Sequence, residues 1–203
     1  MARSRQPDGE LRATRAFFAA RAEDWDARFG EDGPAFARAV ADLGPAPGAT
    51  VLDLGCGTGR AGPHLGAAVG PSGRVVGVDV TPEMLAVARA RRGDAAALVL
   101  GDAGRLPLAD GSVDAVLAAG LLTHLGDPTA GLRELARVVR EDGRLAVFHP
   151  VGRAALAARH GHPLRHDELL DPSVLPRVVA AGGWTLEALD DGPDRYLALA
   201  RRV

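Results

Sequence analysis

The sequence predicts an α/β fold: a Rossmann-like, doubly wound, seven-stranded and mostly parallel sheet with an antiparallel last strand, plus N-terminal helices. Three observations predict it. From residue 49 onward, short apolar runs alternate with helix-period segments, the pattern of β-α-β units. Runs such as Arg74–Asp79 (RVVGVD) are apolar on both faces, as strands buried in a parallel sheet are. The last two runs, Trp184–Leu189 and Arg195–Arg201, are joined only by Asp190-Asp191-Gly192-Pro193-Asp194, which makes them an antiparallel pair. With right-handed crossovers, a ligand belongs outside the carboxyl ends of the strands, beside strand 1.

Taken in order, residues 1–10 are polar and read as disordered. Leu11–Phe29 reads as one helix, with Phe17, Phe18, Ala22, Trp25 and Phe29 at spacings of three and four. Half of the aromatic residues fall there, which suits packing on the body or a lid over a small-molecule site. Gly33–Leu43 is a second helix, ended by Gly44-Pro45-Ala46-Pro47-Gly48. Ala49–Leu54 is strand 1 and Arg60–Val69 a short helix. After the Gly70–Gly73 turn come strand 2 (Arg74–Asp79) and a helix over Pro82–Arg92, with Thr81 as N-cap and Pro82 at its first position. Strand 3 is Ala97–Leu100. A loop over 103–111 carries the Asp110-Gly111 turn, and strand 4 is Val113–Ala119. Asp127-Pro128 begins a helix over Thr129–Arg140, and Asp142-Gly143 closes it before strand 5 (Arg144–His149). A looser, His-rich stretch runs to Asp167, and a helix over about 173–181 stops at Gly182-Gly183.

At 203 residues the chain reads as a single domain, with 1–48 as a helical lid segment and 49–203 as the sheet domain. All 24 basic residues are Arg, and Lys, Asn and Ile are absent, as codon bias of a GC-rich genome produces. The net charge of −2 lacks the basic excess of a nucleic-acid binder. One Cys excludes an internal disulfide framework and a multi-cysteine metal site. No run approaches the roughly 20 apolar residues that span a bilayer, so the expectation is a soluble cytoplasmic protein, monomer or homodimer.

The chemistry concentrates at the predicted strand ends. Strand 1 runs into Gly55-Cys56-Gly57-Thr58-Gly59, a turn whose bare backbone can approach a ligand. Asp53, inside that strand, would repel a phosphate and suits an amino-bearing ligand. Asp79 ends strand 2, where an acid can accept hydrogen bonds from both ribose hydroxyls. Asp102 follows strand 3 and can accept from an exocyclic amine; Ala119-Gly120, ending strand 4, leave room. Together they describe an adenosine joined to a group that approaches the glycine turn. The competing dinucleotide register, Gly57-x-Gly59-x-x-Gly62, starts too far past the strand and leaves Asp53 and Asp102 without a role.

The pieces VLDLGCGTGR, VVGVDVTPEML, GDAGRLPLADGSVDAVLAAGLLTHL and LARVVREDGRLAVFHP, in this order and spacing, resemble a class I S-adenosylmethionine-dependent methyltransferase of the small ubiquinone/menaquinone-biosynthesis type. The resemblance covers about residues 49–149. It implies S-adenosylmethionine as cofactor, S-adenosylhomocysteine as product and a small organic acceptor. It implies that Gly55, Cys56, Gly57 and Gly59 pass beneath the methionine moiety and that Asp53 favours its ammonium. Asp79 would hold the ribose, Val80 and Met84 would sandwich the adenine, and Asp102 with the Ala103 N–H would read its edge. Ala119 and Gly120 would meet the carboxylate or sulfonium. Val113 stands where the family usually has an aromatic, and the Asn-Pro-Pro-Tyr type motif of many nucleic-acid amino-methylating enzymes is absent.

In-line methyl displacement needs alignment above all, with a general base as an aid. His124, five residues past strand 4, and His149, ending strand 5, are the candidate bases. His160, His162 and His166 lack a completing carboxylate or Cys pattern, so no metal site is expected. Arg153, Arg159 and Arg165 share their loop and suit an acidic substrate. A cofactor-binding protein without methyl transfer, an RNA methyltransferase and a nicotinamide-dependent oxidoreductase are the alternatives.

Overall fold

The computed structural model describes residues 8–29, 32–92 and 97–203. The strands are β1 (Thr50–Leu54), β2 (Arg74–Asp79), β3 (Ala97–Leu100), β4 (Val113–Ala119), β5 (Val139–His149), β6 (Trp184–Asp191) and β7 (Tyr196–Arg202). They form one seven-stranded sheet in the order β3-β2-β1-β4-β5-β7-β6. The first five strands are mutually parallel, and β7 runs antiparallel between β5 and β6. Strand order reverses between β1 and β4, which puts the switch point at the end of β1.

The helices are α1 (Asp8–Ala19), α2 (Trp25–Phe29), α3 (Gly33–Leu43), α4 (Gly62–Val69), α5 (Pro82–Arg92), α6 (Pro128–Val138), α7 (Arg153–Arg159) and α8 (Leu175–Ala181). Alternation along each strand divides the core into two layers. Leu52, Leu54, Val76, Val78, Val116 and Ala118 pack with α6 and α8. Val51, Val75, Ala115 and Leu117 pack with α3 and α4, through Phe36, Val40, Leu43 and Leu65. So α3 is part of the main core.

Four expectations change. The single helix over Leu11–Phe29 is two, α1 and α2, separated by turns. Residues 18 and 25 of a continuous helix would lie about 10 Å apart along its axis. The break instead brings the Phe18 and Trp25 rings into edge contact, 5.3 Å between centroids, and Ala22 in the turn is buried. Of the stretch expected to be disordered, residues 8–10 open α1, while 1–7 lie outside the described residues, as do Gly30, Glu31 and 93–96.

The helix expected over Thr129–Arg140 stops at Val138, and β5 starts at Val139. Val139 pairs with Val113, whereas Arg144 pairs with Ala115, so the residues between bulge out of the ladder. Asp142 takes a φ of 59° there. A Cβ on Gly143 would lie 2.3 Å from Val139 Cγ1 and 2.8 Å from Asp114 O, so only glycine passes. Strand pairing of a β-branched residue overrides the helical period. The His-rich stretch also contains α7, whose Ala-rich sequence has high helix propensity.

Candidate active site

Where β1 ends, the chain crosses towards β2: the Gly55 and Cys56 N–H groups donate to Val78 O at 2.8 and 3.1 Å. Gly55, Gly57 and Gly59 have φ of 68°, 51° and 81°, a region that side chains disfavour. A Cβ on Gly55 would also sit 3.1 Å from Leu121 Cδ1. Asp79 braces the turn with both carboxylate oxygens. Oδ2 accepts from Gly57 N at 2.9 Å, and Oδ1 from Thr81 N at 2.8 Å. Burial raises the Asp79 pKa, against the lowering effect of the hydrogen bonds from Thr81 and Gly57. The Thr81 carbonyl accepts from Leu85 N at the start of α5, as an N-cap residue's does. Cys56 is buried, and Gly77 makes room for it: a Cβ there would lie 3.1 Å from Cys56 Sγ. Its setting is that of a packing residue.

The register aligns the neighbouring strand ends. Leu54 pairs with Val78 and Ala118, Asp79 with Leu100, and Ala119 with Phe148. The predicted residues therefore gather along one rim of the sheet. Asp53 is buried within β1, 1% exposed. Val80 is half-buried; Met84 is buried, its Sδ 3.9 Å from where a Gly57 Cβ would be. Asp102 is half-buried and accepts from Gly104 N on Oδ1 at 2.8 Å, an Asx turn beside buried Ala103. Gly120, at φ 64°, donates to Phe148 O at 2.8 Å.

The two candidate bases have different surroundings. His124 closes a 3₁₀ turn over Leu122–His124, and its ring meets Phe18 of α1 edge-on, 5.2 Å between centroids. Burial against such neighbours lowers its pKa, although the residue stays partly open to solvent. Burial lowers the His149 pKa too, and the positive charges of Arg159, His160 and His124 act the same way. His149 Nδ1 lies 2.8 Å from Val151 O and 3.1 Å from Val151 N; in the tautomer that donates to the carbonyl, Nε2 keeps its lone pair. His149 lines a cavity of about 350 Å³ between α3 and α7.

The remaining cations and histidines divide. Arg153, expected as a loop cation, is buried in ion pairs with Asp171 and Asp191 at 3.0 and 3.2 Å. Arg165 pairs with Asp167 at 2.7 Å. Arg159 lines the cavity. The His160 and His162 rings lie 5.9 Å apart, and His166 Nδ1 is 3.2 Å from Asp171 Oδ2. Among the described residues, no three His, Cys, Asp or Glu side chains could hold a metal ion.

Sequence reasoning missed Asp26 and Asp32, which fasten the N-terminal helices to the glycine turn. Asp26 accepts from Thr58 Oγ1 at 2.7 Å, lies 3.8 Å from Arg60 Nε and binds Arg91; Asp32 binds Arg60. Thr58 and Asp26 are 32 positions apart, beyond the reach of any local pattern.

Residues 52–147 match the model of the methyltransferase domain. A demethylmenaquinone methyltransferase of Mycolicibacterium paratuberculosis is 38% identical over 122 residues, 59% of this chain and 46% of that protein. One of Beutenbergia cavernae is 50% identical over 64 residues, 32% of this chain and 26% of that protein. The chain thus spans less than half the length of these curated relatives. Among solved structures, magnesium protoporphyrin IX methyltransferase of Synechocystis with bound S-adenosylmethionine aligns at TM-score 0.73 and 17% identity, over 98% of this chain and all of that one (100%). A methyltransferase of Aquifex aeolicus aligns at TM-score 0.66 and 24% identity, over 82% of this chain and 88% of that one. The two structures share the fold, and domain match and relatives agree: the chain is similar to the methyltransferase domain over residues 52–147 and, over part of its length, to demethylmenaquinone methyltransferases.

Proposed function

We propose that the chain transfers a methyl group from S-adenosylmethionine to a small organic molecule. The observation that carries this reading is the glycine turn braced on Asp79 at the switch point, with the Asp102 carboxylate at the next strand end. The residues fit the cofactor. Gly55, Cys56, Gly57 and Gly59 leave bare backbone beneath the methionine moiety, and buried Asp53 favours its ammonium. The Asp79 oxygens, which accept from Gly57 N and Thr81 N at the strand end, would accept from the ribose hydroxyls. Val80 and Met84 offer apolar faces to adenine, Asp102 and Ala103 its polar edge, and Ala119 and Gly120 lie towards the methyl.

The cofactor supplies a methyl already activated on a sulfonium. The chain's part is to orient the acceptor, exclude water and take up a proton. The aromatic α1–α2 segment, tied to the turn through Asp26, serves as the lid. The net charge of −2 supports a small molecule over RNA, and no helix among the described residues is long and apolar enough to cross a membrane. We place the protein in the cytoplasm. S-adenosylhomocysteine should bind in calorimetry and NAD should not, and labelled methyl should pass to a small acceptor. Binding of NAD alone overturns the reading, and cofactor binding without transfer to any acceptor favours the non-catalytic alternative.

His149 or His124 would accept the proton through a neutral ring nitrogen. Both pKa values are lowered from 6.5, so the base stays available down to a lower pH, and rate should fall only below it. Replacing the true base, in His149→Gln or His124→Gln, should cut turnover about 100-fold, remove that acid limb and leave cofactor affinity unchanged. Equal losses of turnover and affinity would make the residue structural.

A further inference from the structure

The cavity beside His149 bears on what the acceptor is. It is lined by Arg38 of α3, Arg159 of α7 and His149, with apolar surface from Pro34, Val151 and Leu156. Its volume of about 350 Å³ is within the range of small-molecule sites. It also adjoins the cofactor rim, since a Cβ on Gly120 would lie 3.9 Å from His149 Cδ2.

The charges in this cavity are unbalanced. Neither Arg38 nor Arg159 forms an ion pair with a described residue, whereas Arg153, Arg165 and Arg195 all do. Of the two acids on the wall, Asp32 is occupied by Arg60, which leaves exposed Asp194 as the opposing charge. His160 adds a further titratable group on the same side. The positive field reaches His149, on which Arg159 and His160 act to disfavour protonation.

We propose that this cavity is the acceptor site and that it takes a small carboxylic acid with an apolar body, its carboxylate held by Arg38 and Arg159 and its nucleophile turned towards His149 and Gly120. Guanidinium groups match carboxylates with paired, charge-assisted hydrogen bonds. The apolar wall receives the remainder of the molecule. This assignment rests on the methyltransferase reading and names its substrate class.

The test uses the full chain saturated with S-adenosylhomocysteine and a panel of aromatic and aliphatic carboxylic acids, each paired with its neutral amide. Affinities are measured by calorimetry for wild type and for the Arg38→Gln/Arg159→Gln double variant. At least one acid should bind about tenfold or more tightly than its amide. The double variant should lose that preference while keeping its affinity for S-adenosylhomocysteine and its circular dichroism spectrum. No acid preference in wild type, or a preference that survives in the double variant, overturns the assignment and leaves the cofactor reading standing. Failure of wild type to bind S-adenosylhomocysteine overturns the methyltransferase reading itself.

Discussion

Asp79→Ala is expected to weaken S-adenosylhomocysteine binding by about 100-fold or more while the sheet stays folded. The carboxylate holds Gly57 and Thr81 in place, and in the proposed reading it would also accept from a ribose hydroxyl. Alanine removes both, so the turn loses its brace as the ligand loses its partner. β2 keeps its ladder bonds to β1 and β3, which do not involve this side chain. Linkage gives the sign of the pH effect. The folded pKa lies above 3.8, so Asp79 adds stability only at low pH, and that stability is lost as pH rises through the folded pKa. At neutral pH the buried charge is therefore a cost to the fold. Affinity should fall as pH drops through the raised pKa, and Asp79→Asn should be weak and flat over the same range. Unchanged affinity in titrations of Asp79→Ala would remove the residue from the site.

The local chemistry of the chain made much of this legible. Pro82 opens α5, Asp127 caps α6 through Ala130 N at 2.9 Å, and Gly111 turns at φ 60° before β4, all where turn and cap signals stand in the sequence. β2, β3 and β4 have the expected limits because doubly apolar runs of that length admit little else. That the strand-end acids share one rim was legible because topology places strand ends together. What was not legible depends on partners far away in sequence. Val139 looks helical until it meets Val113 in the sheet. Asp26 looks like a surface acid until Thr58, Arg60 and Arg91 surround it. Arg38 and Arg159 are 121 positions apart, by subtraction of their numbers, and only the fold brings both to the cavity at His149.

Arg153 is the clearest case of such a distant partnership, and its removal is the largest stability change to expect. One guanidinium bridges Asp171 and Asp191 and donates to Arg165 O at 2.5 Å, with its side chain 6% exposed. It joins α7, the loop before α8 and the end of β6. The approach is close: a Cβ on Gly152 would fall 1.7 Å from Gly192 O. Arg153→Ala leaves two acids facing each other without their cation, so the melting temperature should drop by roughly 10 °C. Arg153→Lys should recover less than half, because an ammonium cannot span three acceptors as the planar fork does. The acid side of the stability curve should move as well. Hydrogen bonds from Ser173, then Arg153, hold the Asp171 pKa well below 3.8. That contribution is present in full above 3.8 and is lost as pH falls through the folded value, so the alanine variant should unfold at a higher pH than wild type. Ser173 keeps its two bonds to Asp171 Oδ1, at 2.9 and 2.6 Å, so part of the depression should survive. Well below its melting point the variant should still bind S-adenosylhomocysteine, since Asp79 and the glycine turn lie elsewhere on the rim. A melting temperature within about 2 °C of wild type would show that α7 is held by its apolar contacts alone.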